Sequence, residues 1–193
     1  MPPLTIGLTG GIAAGKSEAL AAFERLGAAT ISSDAVVHEL LDSEPLLGRL
    51  TERWGGDVAP GGTVDRGRIS EIVFADAGEL SWLETQVHPL VGERIGRWLG
   101  SLPAEAKLAV VEVPLLFESD LDGVFDTTVA VVSSDDVRRH RAGARGHALV
   151  GEREARQLSQ DEKADRAAHV VLNDGSLDDL ERALSALVEK LKG

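Results

Sequence analysis

The tightest constraint on this chain is an eight-residue stretch near its start, Gly10-Gly11-Ile12-Ala13-Ala14-Gly15-Lys16-Ser17. It satisfies G-x-x-x-x-G-K-[ST], a signature with physical content only where a strand leads in and a helix leads out. Both flanks qualify: residues 4–9 form an apolar run, and residues 16–26 carry helical spacing. Gly10 and Gly15 let the backbone curl close to a phosphate where a Cβ would clash. Amides from about Ala13 to Glu18 then face the anion, with the positive end of the helix dipole behind them. Lys16 adds a charge for the β and γ oxygens, and the Ser17 hydroxyl is a ligand for Mg²⁺. The stretch therefore reads as a nucleoside triphosphate site formed by Gly11, Ile12, Ala13, Ala14, Gly15, Lys16, Ser17 and Glu18. The Glu18 side chain is expected to point outward. The motif alone does not say what receives the phosphate.

The rest of the chain alternates in the way such a motif demands. Apolar runs at 28–32, 108–113, 127–132 and, more weakly, 169–172 read as further strands. Those at 4–9, 108–113 and 127–132 are nearly continuous, as in strands of a parallel sheet covered on both faces. Helical spacing occupies 34–41, 45–54, a long region from about 66 to 99, then 135–144, 152–160 and 177–191, with Ser134 and Ser176 placed as N-caps. The expected fold is α/β: a P-loop NTPase-type three-layer α/β/α with a parallel five-stranded sheet, a helical insertion and a small helical lid. The core takes 1–33, 106–137 and 168–193, the insertion 34–105 and the lid 138–167.

Composition narrows the partners. Lys and Arg total 20 against 32 for Asp and Glu, a net charge of −12. That argues against a nucleic-acid backbone or an anionic membrane as main partner, while leaving room for one locally positive pocket. There is no cysteine, so disulfides and thiolate metal sites are excluded. No apolar run approaches a membrane span, and the first charged residue is Lys16, so the expectation is a cytoplasmic protein without a cationic leader. A monomer is favoured.

Four further places could carry chemistry, each with an ordinary alternative. Ser33-Asp34 follows the second strand, whose carboxyl end lies beside the phosphate loop. Asp34 is there either a general base for a hydroxyl attacking the γ-phosphate or a cap on the next helix. Glu112 ends an apolar strand as a second metal-site carboxylate or as a cap on the sheet edge. Arg138, Arg139, Arg141 and Arg145 gather four cations, of which 138, 141 and 145 share a helix face. Arg138 and Arg139 read as solvated partners of Asp135 and Asp136; the others could close on a triphosphate. Asn173, after the last strand, offers an adenine contact or a plain turn.

The chain resembles the dephospho-coenzyme A kinases over essentially its whole length. The likeness rests on Ile6-Gly7-Leu8-Thr9-Gly10-Gly11-Ile12 leading into Gly15-Lys16-Ser17, and on Ser33-Asp34. It continues through Val87-His88-Pro89-Leu90-Val91 and Val113-Pro114-Leu115-Leu116-Phe117-Glu118 to Arg141, Arg145, Gln160, Lys163 and Asn173. The resemblance implies transfer of the ATP γ-phosphoryl group, with Mg²⁺, to the ribose 3′-hydroxyl of dephospho-CoA, the last step in making coenzyme A. It implies Asp34, Lys16 and Arg145 as catalytic residues, Arg141 and Asn173 as ATP contacts, and Asp34, His88 and Glu118 as acceptor contacts. On local sequence alone, His88 is more often a packed or capping residue than a ligand, and Glu118 is a substrate contact or a solvated residue. Ala13 stands where the family often has Gly, Glu18 where it has Thr, Ser32 where an Asp is common, and Ala168-His169 where it has Ala-Asp. Two rival readings remain: another nucleotide or small-molecule kinase on this scaffold, and a nucleotide-dependent regulatory module.

Overall fold

The structure, a computed structural model, describes residues 2–144 and 157–192, with positions 142–144 and 192 described by backbone alone. The chain forms two compact units, one of residues 1–32 and 102–193, the other of residues 33–101.

The first unit is built on five parallel strands in the order β2-β3-β1-β4-β5. They are β1 Leu4–Gly10, β2 Ala29–Ser32, β3 Leu108–Glu112, β4 Thr127–Val132 and β5 His169–Leu172. Every residue of β3 is buried, as are Ile6 to Gly10 of β1, so the expectation of a sheet covered on both faces holds. On one face, α1 (Lys16–Arg25) packs with the C-terminal helix Leu177–Lys192 over a core that includes Ile6, Leu8, Phe23, Val131 and Leu184. The other face is so closely covered that a Cβ on Gly7 would come within 2.7 Å of the Phe125 ring and 3.1 Å of Leu116. In register, Leu8 of β1 and Ser32 of β2 both stand beside Glu112, while Gly10 stands beside Val131. This alignment sets the carboxyl ends of β1 and its neighbours at one edge of the sheet, where ligands bind in open α/β folds.

Local chemistry explains the helix limits. α1 stops at Arg25, one residue short of the expected end, because Gly27 takes φ 86° and closes a Schellman motif. The Ala28 amide donates to the Phe23 carbonyl and the Gly27 amide to that of Glu24. At the other end of the chain, Ser176 accepts from the Asp179 amide while the Asp179 carboxylate accepts from the Ser176 amide and hydroxyl, the expected cap.

The second unit is helical throughout: α2 Ser33–Leu41, α3 Glu44–Trp54, α4 Arg66–Ala75 and α5 Ala77–Gly100, with two short 3-10 turns between α3 and α4. The long helical region expected from about 66 to 99 is made of two helices, divided at Asp76. Its extended backbone ends α4, and its carboxylate accepts from the Gly78 amide at 2.7 Å to start α5. Pro89 lies inside α5. Leu46, Leu50, Val58, Ile69 and Val87 form this unit's own core. At its rim Arg53 forks onto Glu79 at 2.8 and 2.9 Å and covers the Trp82 ring at 4.8 Å, while the Trp54 indole N–H donates to Glu79 at 2.7 Å. The Arg53 bonds first, then the Trp54 bond, hold the Glu79 carboxyl below the usual range.

Back in the first unit, β1 is pinned where it begins. The Thr5 amide and hydroxyl donate to Asp126 Oδ2 at 2.7 and 2.8 Å, and these bonds hold the Asp126 carboxyl below its ordinary value. A lowered folded value means stabilisation present above the unfolded value, about 3.9, and lost as pH falls through the folded one. Because Asp126 is exposed, Asp126→Asn should cost only about 0.5–1 kcal/mol at pH 7. That gap should narrow as the pH falls toward and through the lowered folded value of the native carboxyl; urea melts at pH 7 and at a series of lower pH values measure both.

Two helices complete the first unit on the side of the phosphate loop: α6 (Asp135–Ala144) and α7 (Gln160–Arg166). The helix expected over 152–160 is absent from the described part of that range. Residues 157–159 are non-helical, Gln160 instead opens α7 behind a Ser159–Glu162 capping box, and the remainder of the range lies outside the described residues.

Candidate active site

The loop between β1 and α1 is held in a shape its sequence makes possible. Gly10 has φ 153° and Gly15 φ 96°, and a Cβ on Gly10 would lie 2.2 Å from the Val131 carbonyl oxygen. The Ala14 amide turns back onto the Gly11 carbonyl at 3.2 Å, so this one amide of the expected cradle is used inside the loop. The first intrahelical bond of α1 runs from Ala19 to the Gly15 carbonyl. Helical amides ahead of that bond have no acceptor within the helix and project from its positive end.

Ala13 takes φ 60° in the left-handed region, at the position where glycine is usual in the resembling family. The conformation costs an L residue about 1–2 kcal/mol, whereas glycine there would lose about 0.5–1 kcal/mol more chain entropy on folding. The two effects nearly cancel. Ala13→Gly should shift the melting midpoint by roughly 3 °C or less, slightly upward, and leave ATP affinity within about twofold. A clear loss of affinity in calorimetric titration would show that the methyl group itself shapes the loop.

The loop's carbonyls carry the clearest arrangement in the unit, because cations and amides converge on them. Lys16 Nζ donates to Gly10 and Gly11 at 3.2 and 3.1 Å. Arg138 Nε donates to Ile12 at 3.1 Å. The Ala14 carbonyl receives the Asn173 amide at 2.9 Å, with the Ser133 hydroxyl at 3.1 Å and Arg141 Nη1 at 3.4 Å. Donors that occupy the loop's oxygens leave its N–H groups for an anion, as an anion-binding nest requires. In an acidic protein, three cations converge here on a few residues.

Ser133 and Gln160 fasten the surroundings. Ser133, buried at the end of β4, shares its one hydroxyl proton between the Asn173 carbonyl at 2.8 Å and that of Ala14, and accepts from Arg141 at 3.2 Å. Gln160 pairs with the Ser133 main chain in both directions, at 3.1 and 2.8 Å. A cleft of about 470 Å³ opens beside the loop, lined by Gly11, Ile12, Arg138 and residues 157–162.

The structure sorts the sequence expectations. Gly11 to Ser17, Arg141 and Asn173 come together, but the Asn173 amide is buried and spent on the loop itself. Glu18 is half-buried, with one carboxylate oxygen shut off from solvent, so the outward orientation expected of it is corrected: α1 turns this position toward the protein. Arg138 is corrected too. It pairs with Asp135, yet its side chain is only 20% exposed because the same helix face that carries Arg141 lies against the loop. Arg139 does pair with Asp136 at the surface. Glu118 is engaged by Lys163 at 3.0 Å and by the Leu158 amide at 2.9 Å. Asp34 and His88 belong to the helical unit, both exposed, Asp34 in the first turn of α2 and His88 within α5. Arg145 lies outside the described residues.

Arg138, Ser133 and Lys163 were not singled out by the sequence as site residues. For Arg138 a signal existed, since it shares the face of Arg141 at a spacing of three. For Ser133 none did, and Lys163, wholly buried in a polar helix, was marked only as one of the residues that carry the family likeness.

A family model described as dephospho-CoA kinase matches residues 4–179. The dephospho-CoA kinase of Symbiobacterium thermophilum is 42% identical over 179 residues, covering 90% of this chain and 75% of its own. That of a Synechococcus strain is 37% identical, covering 97% and 96%. A solved structure from Thermus thermophilus superposes over the whole of both chains with a TM-score of 0.83 at 36% identity.

Proposed function

The chain belongs to the dephospho-CoA kinase family, and from that premise we propose that it moves the γ-phosphoryl group of ATP onto the ribose 3′-hydroxyl of dephospho-CoA, giving coenzyme A and ADP. The observation that carries the donor half is the convergence of Lys16, Arg138, Arg141 and Asn173 on the carbonyls of the loop.

In this reading the loop's amides and the α1 N-terminus bind the β and γ phosphates, and Lys16 neutralises charge that grows on the bridging oxygen as its bond to the γ-phosphorus breaks. The 3′-oxygen forms the new bond to that phosphorus, and its proton passes to the Asp34 carboxylate. Arg141, with Arg145, stabilises the transferring group from the lid, and His88 and the helical unit hold the acceptor. Asn173 supports the adenine side by fixing Ala14.

The oxygen donors present suit Mg²⁺: the exposed Ser17 hydroxyl and, at the end of β3, the buried Glu112 carboxylate. Among the described residues no cluster of three or more His, Cys, Asp or Glu forms an all-protein cage. Mg²⁺ needs none, since it keeps water and phosphate oxygens in its shell. When bound, it offsets the negative charge of the β and γ oxygens. No helix among the described residues is long and apolar enough to cross a membrane. Two soluble small-molecule substrates accord with a monomer working in the cytoplasm.

Incubation with Mg–ATP and dephospho-CoA, followed by mass spectrometry and phosphorus NMR, tests the reading. One new phosphomonoester on the ribose of the acceptor is expected, with ADP formed in equal amount. Phosphate on a different hydroxyl compound, or ATP consumed with dephospho-CoA unchanged, would overturn it.

A further inference from the structure

Lys163 has no exposed side-chain surface. Its Nζ donates to the Pro114 carbonyl at 2.6 Å and lies 3.0 Å from Glu118 Oε1. The same Pro114 carbonyl accepts from Thr9 Oγ1 at 3.2 Å, one residue ahead of Gly10. Glu118 Oε1 also accepts from the Leu158 amide at 2.9 Å, and its second oxygen is buried without a hydrogen bond. The end of β1, the turn after β3, residues 157–159 and α7 therefore all meet at one ion pair.

A buried pair of charges is a poor way to add stability, because well-packed apolar side chains of similar volume do as well or better. What apolar side chains lack is direction. Here the direction is toward the nucleotide loop: the pair fixes Leu158, two residues before Gln160, whose side chain is clamped to Ser133 beside Asn173. Residues 157–160 in turn form one wall of the cleft whose other wall includes Gly11, Ile12 and Arg138.

We infer that Lys163 and Glu118 are positioning residues for ATP, an internal brace that sets residues 157–160 against the phosphate loop. Glu118 thereby serves the donor half of the reaction and not the acceptor. The inference rests on the reading of the loop as an ATP site and assigns that site two residues that never touch the nucleotide.

The test is calorimetric titration with Mg–ATP, together with steady-state kinetics, on Glu118→Gln and on the double variant Lys163→Met with Glu118→Met. The double variant removes both charges and should keep its melting midpoint within a few degrees of the parent. It should nevertheless bind ATP about tenfold more weakly, with the KM for ATP rising in step and the KM for dephospho-CoA within about twofold. Glu118→Gln leaves the ammonium buried without its counter-charge, so its midpoint should fall by roughly 10 °C. A double variant with parental ATP affinity would reduce the pair to a packing role, and a rise confined to the KM for dephospho-CoA would return Glu118 to the acceptor. If Glu118→Gln fails to fold, the double variant alone decides. Nucleotide affinity is read without an acceptor, so failure of the proposed acceptor would leave this result legible.

Discussion

Gly15→Ala is expected to give a folded protein that has lost at least about a hundredfold in ATP affinity, roughly 2.7 kcal/mol. Two independent effects converge at this position. The backbone has φ 96° and ψ 33°, which an L residue adopts only at a cost of about 1–2 kcal/mol. The added Cβ would also lie 2.1 Å from Asn173 Nδ2, a separation that no pair of such atoms sustains. The Asn173 amide cannot simply swing away, because it is buried and bound to the Ala14 carbonyl. Either the loop or Asn173 must move, and both routes disturb the carbonyl that anchors the loop's shape. The sheet should survive, since the strain falls after β1 and before the packed turns of α1.

Far-ultraviolet circular dichroism close to the parent, with almost no heat on titration with Mg–ATP, would bear this out. Adding Asn173→Ala should relieve the contact and recover some stability, while affinity stays low because the backbone strain remains. Parental affinity in the single variant would mean that the loop does not need its left-handed entry into α1.

What the sequence disclosed and what it withheld divide along the range of the interactions. Residues 4–26 were legible because the strand, the turn and the helix each specify themselves within a few positions. β4 and β5 likewise begin and end where the apolar runs do. The division of 66–99 at Asp76 was legible in principle, since Asp-Ala-Gly-Glu has the form of a capping box. It was masked by apolar spacing that continues on either side. The brace around the loop is different in kind. Ser133, Arg138 and Asn173 reach loop carbonyls more than a hundred residues away in sequence, and no local period marks a side chain aimed at a distant main chain. Lys163 sits in Gln-Asp-Glu-Lys-Ala-Asp-Arg, a stretch that reads as a solvated helix, yet it is wholly buried. Its depth depends on where the turn after β3 runs, a matter of topology and not of composition.

Asp34→Asn is expected to lower turnover by about a hundredfold to ten-thousandfold while ATP still binds within about twofold of the parent. Magnitude separates the two readings of this carboxylate. Asp34 is exposed and is the second residue of α2, past the capping position, so its service to the helix is a dipole interaction of about 0.3–1 kcal/mol. Losing that should move the melting midpoint by only a few degrees. Loss of a general base raises the barrier by about 2.7–5.4 kcal/mol, far beyond what a small change in helix stability can mimic. The amide of Asn keeps the size and one acceptor oxygen but takes up no proton at neutral pH, so binding and chemistry should come apart cleanly. Single-turnover mixing with saturating Mg–ATP and dephospho-CoA isolates the transfer step from product release. A parental rate in that experiment would leave Asp34 with nothing beyond the charge it lends to the first turn of α2, and the acceptor's proton would have to leave by another route.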